Sequence, residues 1–201
     1  MIEVGIFIIP KIEISEKVLK WKKIIEQNFG DQLYLNHFPH ITLSNFYTNN
    51  VERVETELSK YCKNFNKNLT IKINGTNEFI NDPLTNGSTL YFVVERNTQI
   101  LKFQYEIMKN IEQLIKTKFS SNFEDENYNS NNEKYKYPFV GKDWIPHISI
   151  CSLSEEHSKS DVVNTFLSQN IDYSFNIDSI YIYKITNNLH TKIAEIGLTN
   201  G

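Results

Sequence analysis

Two short segments of this 201-residue chain carry the same residue types in the same order. They are Phe38-Pro39-His40-Ile41-Thr42-Leu43-Ser44 and Ile145-Pro146-His147-Ile148-Ser149-Ile150-Cys151; both read apolar, Pro, His, Ile, hydroxyl, aliphatic, small. Five Pro and five His in 201 residues would give about 0.12 Pro-His pairs by chance. There are two, each at the head of the longer pattern, and His147 follows His40 by 107 residues, about half the chain. Internal duplication is the natural reading.

Strand alternation gives the pattern its chemistry. Side chains point to opposite faces in turn, so Ile41 and Leu43 face a core while His40, Thr42 and Ser44 face away from it. In the second copy Ile148 and Ile150 face in, and His147, Ser149 and Cys151 face out. Each strand then presents an imidazole and a hydroxyl on one face, ~6.6 Å apart at Cα from two residues of rise. If a pseudo-twofold relates the halves, two imidazoles and two hydroxyls meet across one cleft. That arrangement suits an anion, and phosphate chemistry in particular.

The rest of the chain must supply the frame. Ile2 to Ile9 reads as a buried strand stopped by Pro10, and Val18, Trp21, Ile25 and Phe29 recur at helical spacing before Gly30. A strand from Phe38 to Phe46 and a helix marked by Val51, Val54, Leu58 and Tyr61 follow. Leu69 to Phe79 and Thr89 to Glu95 are strands around an Asn86-Gly87 turn. Ile100 to Phe119 is the longest helical pattern, and the polar stretch 120–137 reads as a mobile loop. A strand from Trp144 to Ser152, a helix near Asp161 to Leu167, and strands at Tyr173 to Ile185 and Thr191 to Leu198 complete the order. We expect one α+β domain over 1–201, with similar lobes near 1–95 and 96–201 and helices outside antiparallel sheets.

Composition narrows the function classes. With 21 Lys+Arg against 24 Asp+Glu, the formal charge is −3. Proteins that grip long duplex nucleic acid usually carry a basic excess, so a small anionic ligand fits better. No apolar run approaches the ~20 residues needed to span a bilayer, and Glu3 stands where a signal peptide would be basic. Polybasic membrane docking is unsupported. Cys62 and Cys151 read as two free thiols in a reducing cytosol. Two His without a nearby His-x-His or Cys pair are too few for zinc, even with Asp31 or Asp143 added, so no metal or other cofactor is expected.

The duplicated His-x-Thr/Ser segments resemble the 2H phosphoesterase superfamily, a bilobal fold with one such motif on a strand of each half. The resemblance extends over nearly the whole chain, from the opening strand through the segment Phe79 to Tyr91 to the final strands. It departs in Ser149, where Thr is commoner, and in the long Asn-rich stretch before the second motif. The resemblance implies that His40 and His147 are the general acid–base pair and that Thr42 and Ser149 bind phosphate. Imidazole chemistry agrees: His titrates near pH 6.5, so one neutral and one protonated ring can coexist at neutrality. Which His is the base stays open.

Other residues are candidates for substrate binding. Tyr91 falls where the family often has an aromatic in the cleft, and Phe7 lies on the strand face opposite Val4, Ile6 and Ile8; either can stack a base or belong to the core. Tyr137, Lys142 and Trp144, with Lys134 and Lys136, sit near the second motif where a lid could close over a nucleotide, although a solvated loop is the plainer reading of the lysines. His37, His157 and His190 lie in no repeated pattern and read as surface residues. The expected activity is metal-independent hydrolysis of a ribonucleotide phosphodiester: a 2′,3′-cyclic phosphate, a 2′,5′-linked oligonucleotide or a cyclic oligonucleotide. The alternatives are a nucleotide-binding module without turnover and 2′,5′-ligation or RNA-end processing. The partner is a small nucleotide or oligonucleotide, and a monomer is expected.

Overall fold

The structure, a computed structural model, describes residues 1–65, 68–117, 126–187 and 189–198. In chain order the elements are β1 (Ile2–Ile8), α1 (Ile12–Phe29), β2 (Ile41–Thr48), α2 (Val51–Lys63), β3 (Thr70–Phe79), β4 (Ser88–Val94) and α3 (Thr98–Ile111). They continue with α4 (Glu126–Tyr135), β5 (His147–Leu153), α5 (Glu155–Ser158), α6 (Asp161–Leu167), β6 (Tyr173–Asn176), β7 (Ser179–Thr186) and β8 (Leu189–Gly197). No helix among the described residues is long and apolar enough to cross a membrane.

The helices follow from apolar spacing and capping. In α1, Ile14, Val18 and Ile25 are buried on one stripe and Gly30, at φ 70°, closes the helix with its N–H on the Glu26 carbonyl. Asn50 caps α2 by accepting from the Arg53 N–H, and Asn97 caps α3 through the N–H groups of Gln99 and Ile100. The expected helix from Ile100 to Phe119 ends as α-helix at Ile111 and passes into a short 3-10 turn, Glu112–Leu114; Phe119 lies outside the described residues. The stretch expected as a loop over 120–137 contains α4, whose buried Asn132 and Tyr135 give it a core-facing side; 120–125 lie outside the described residues.

Two four-stranded antiparallel sheets hold the molecule together, ordered β2-β1-β7-β8 and β5-β4-β3-β6. They confirm the α+β reading and correct the lobes. A division at 95/96 does not separate the sheets, because each half lends strands to the other: β4 pairs with β5 in the second sheet, and β7 pairs with β1 in the first. The segment expected as one strand, Tyr173 to Ile185, is two. It breaks at Ile177-Asp178, where the Ile177 N–H bonds the Leu69 carbonyl and the Asp178 carbonyl accepts from Leu198. There the chain leaves the second sheet for the first.

Both sheets keep their inner faces apolar. Val4, Ile6, Ile41, Leu43, Ile180 and Ile182 are fully buried from the first, and Ile71, Ile73, Leu90, Phe92, Ile148 and Ile150 from the second. At ~25 cal/mol per Å² this burial is the main stabilising term. Cys62 and Cys151 are both buried and unbridged.

Candidate active site

The two His-bearing strands, β2 and β5, are the edge strands of their sheets and approach each other without pairing. Between the two sheets lies a cleft of about 570 Å³. His40, Thr42, His147 and Ser149 all line it. Ties between the two sides fix the edges: the Trp144 indole N–H donates to the Thr42 carbonyl at 3.0 Å, and the Ser152 N–H donates to the Leu33 carbonyl at 2.9 Å.

Each imidazole is held the same way. Nδ1 of His40 lies 2.7 Å from the Phe38 carbonyl, and Nδ1 of His147 lies 2.7 Å from the Ile145 carbonyl. A carbonyl only accepts, so Nδ1 carries the proton and Nε2 is left for the cleft in both rings. The proline between carbonyl and His has no N–H and fixes its own φ, which presets this two-residue fold-back. Each ring also rests on an aromatic of the neighbouring strand. Phe7 lies 4.3 Å from His40 between ring centroids, and Tyr91 lies 5.2 Å from His147.

A bulge follows each motif. Along β1 and β2, Ile6 pairs with Ser44 and Phe7 with Thr42, so Leu43 is an extra residue. Along β4 and β5, Leu90 pairs with Cys151 and Tyr91 with Ser149, so Ile150 is extra. An inserted residue reverses the facing of everything after it. Hence Ser44 and Cys151, expected on the site face, are instead fully buried away from it, while Asn45 lines the cleft. Burial pushes the Cys151 thiol up to about 12. The first bulge is backed by fully buried Gln104, whose Nε2 donates at 2.9 Å to the Leu43 and Phe139 carbonyls. Its Oε1 accepts at 2.7 Å from the N–H of Gly141, a residue at φ 57°.

The two rings differ in surroundings. Burial pushes His40 down to about 3; the bond to Phe38 opposes this, and His190, His37 and Lys22 push it further down. Burial also lowers His147, but there the Ile145 carbonyl and the Asp82 carboxylate both favour the proton. Asp82 is itself buried at the β3–β4 turn, accepting from the Thr89 hydroxyl at 2.6 Å and the Leu84 N–H at 2.9 Å. Burial likewise lowers Lys22, to about 8; its ammonium donates to the carbonyls of Tyr34, Leu35 and His37 and so anchors the loop ahead of the first motif.

The remaining candidates divide. Phe7, Tyr137 and Trp144 line the cleft, and the Phe7 ring fits because residue 5 is glycine: a Cβ there would come within 2.2 Å of the ring. Tyr91 does not line it. Its ring is stacked 4.2 Å from Phe79 and stands behind His147. Lys142 is exposed outside the lining and pairs with Asp143 at 2.9 Å. Lys134 and Lys136 also lie outside it, the first over the Tyr135 ring and the second on the Glu133 carbonyl. His37 and His190, expected at the surface, are cleft residues, whereas His157 stacks on Phe29. Asp82, Asn45 and Tyr128 of α4 are lining residues that the sequence reading missed. No group of three or more His, Cys, Asp or Glu among the described residues is arranged to hold a metal ion.

Solved structures with this fold share little sequence with the chain. TT0787 of Thermus thermophilus superposes with a TM-score of 0.69 at 10% identity, covering 98% of both chains. Escherichia coli LigT complexed with ATP gives 0.61 at 10% identity over 99% of both, and LigT complexed with 3′-AMP gives 0.57 at 11% over 99% of both. No curated protein sequence matches significantly. Residues 10–189 match the family model of the 2′-5′ RNA ligase superfamily, and the chain belongs to that superfamily.

Proposed function

We propose that the chain is a metal-independent phosphodiesterase that hydrolyses a ribonucleotide phosphodiester by general acid–base catalysis between His40 and His147. One observation carries this reading: two imidazoles, each with Nδ1 tied to the carbonyl two residues back, share one cleft with Thr42 and Ser149. Membership of the superfamily supports a phosphoesterase-type function. The complexes of LigT with ATP and 3′-AMP support a nucleotide as the ligand class. The two unbridged cysteines suit a reducing compartment such as the cytoplasm.

The asymmetry of the half-sites supports an assignment of roles. His40, neutral among His37, His190 and Lys22, is the base: its Nε2 takes a proton from water as the water oxygen attacks phosphorus. His147, beside Asp82, is the acid: its Nε2–H protonates the leaving ribose oxygen as the P–O bond breaks. The hydroxyls of Thr42 and Ser149 donate to the non-bridging oxygens, where negative charge is held. At the end His40 carries a proton and His147 lacks one, and exchange with solvent restores both.

The test is an incubation with EDTA present, using 2′,3′-cyclic mononucleotides, 2′,5′-oligoadenylate and cyclic di- and trinucleotides, with products separated chromatographically. Turnover that survives chelation is expected, and the preferred substrate names the class. Binding without turnover in every lane overturns the enzyme reading in favour of a nucleotide-binding module.

A further inference from the structure

We propose that His37 and His190 form a second anion subsite beside His40, which takes a phosphate of the same ligand one nucleoside away from the phosphodiester being cut. The inference deepens the phosphodiesterase reading and rests on it for the identity of the first site. It predicts a substrate with at least two phosphates rather than a cyclic mononucleotide.

The argument begins with placement. His37 precedes the first motif, and His190 lies on β8 at the far edge of the same sheet; both line the cleft. Their ring centroids are 4.7 Å apart at an interplanar angle of 73°. From His40 they stand 6.4 and 6.0 Å. The two rings are in edge-to-face contact and stand side by side along the cleft next to His40, where imidazole N–H groups can meet a second anion, and a single nucleoside is long enough to carry that anion and one on Nε2 of His40. The second half-site has no such pair: its acid–base candidate faces Asp82, and Glu78 lines the same wall.

Charge points the same way. The groups acting on His37 after burial are His190 and Lys22, which with burial hold it down at about 4, and those acting on His40 are His190, His37 and Lys22. No carboxylate is among the groups that act on these two rings, although the Asp82 carboxylate reaches Tyr34 beside His37. Tyr34 and Tyr183 stand beside these rings and bring no charge at neutral pH. An anion beside His37 and His190 favours the proton on His37 that burial, His190 and Lys22 otherwise oppose. The opposite wall, with Asp82 and Glu78, repels a second phosphate. The cleft thus has a direction: further phosphate toward His37 and His190, hydroxyl or amino groups toward Asp82 and Glu78.

The test is calorimetric binding of adenosine 3′-monophosphate and adenosine 3′,5′-bisphosphate to the full chain at fixed ionic strength. The bisphosphate is expected to bind at least about tenfold more tightly. The variant H37Q/H190Q should lose that advantage, bringing the ratio of the two constants near one. H190K, which puts a fixed cation there, should retain most of it, and H190Q alone, checked by circular dichroism, serves if the double variant does not fold. A wild-type ratio near one, or an undiminished ratio in H190Q and H37Q/H190Q, overturns the subsite. Turnover of the substrate panel with no bisphosphate advantage sinks this inference and leaves the phosphodiesterase reading standing. A bisphosphate advantage lost in the variants, with no turnover of any substrate, supports the subsite and sinks the enzyme reading instead.

Discussion

The half-site around His40 and the half-site around His147 share a frame and differ in charge. Each has Pro before the His, a carbonyl on Nδ1 at 2.7 Å, and a bulge three residues after the His. Phe7 pairs with Thr42 as Tyr91 pairs with Ser149. Behind these rings stand Tyr183, 5.6 Å from Phe7, and Phe79, 4.2 Å from Tyr91. Backbone geometry, which the duplication copies, sets where each imidazole sits. Charge comes from residues outside the repeat: His37, His190 and Lys22 on one side, Asp82 on the other. Two copies of one strand motif thereby become half-sites of unlike charge.

The largest effect should come from removing either imidazole. H40A and H147A should each lower kcat by about 10³-fold, with the double variant little worse than either single one, since the two groups act in one step. Both side chains border the cleft and not the fully packed core, so circular dichroism should show a native fold. Retained activity in one single variant would break the pairing of the half-sites.

Much of the fold and the centre of the site could be read from the sequence, because they rest on local patterns. The repeat pointed to His40, Thr42, His147 and Ser149, and apolar spacing found α1, α2 and most of α3. What escaped depends on contacts between distant segments. Strict alternation put Ser44 and Cys151 on the site face, and a single inserted residue in each strand, Leu43 and Ile150, reversed them. Nothing local marks a bulge whose carbonyl is satisfied by Gln104, 61 residues away. The exchange of β3 and β7 between sheets, which overturns the 95/96 lobes, is likewise invisible in a strand's own pattern. His37 and His190 looked like surface residues since each is alone in its segment, and Asp82 in Asn81-Asp82-Pro83 reads as ordinary turn chemistry.

A smaller change should sharpen the contrast between the half-sites. D82N keeps an acceptor for the Leu84 N–H but removes the charge that favours a proton on His147. The pKa of His147 should fall further, so the alkaline limb of kcat/KM against pH should move to lower pH. At pH 7.5 the rate should drop by up to about tenfold, because less of His147 holds the proton that the leaving group needs. The acid limb, set by His40, should stay in place. An unmoved alkaline limb would show that Asp82 does not distinguish the two rings.

The smallest expected effect is on stability. His40 and His37 are held at about 3 and about 4 in the folded protein, against 6.5 when exposed. Between pH 6.5 and those values the unfolded chain binds protons that the folded chain does not, so stability should fall as pH drops. The fall is at most about 1.4 kcal/mol per pH unit for His40, and less for the half-exposed His37, whose charge water screens. Above pH 6.5 these groups are neutral in both states and contribute nothing to the slope. Melting temperature should therefore decline from pH 6.5 to 4, and H40Q should flatten the decline more than H147Q, since His147 has Asp82 beside it. Inorganic phosphate should flatten it too, because an anion on the first half-site stabilises the protonated native rings. Equal flattening by H40Q and H147Q, with phosphate without effect, would mean that the two half-sites do not differ in charge after all.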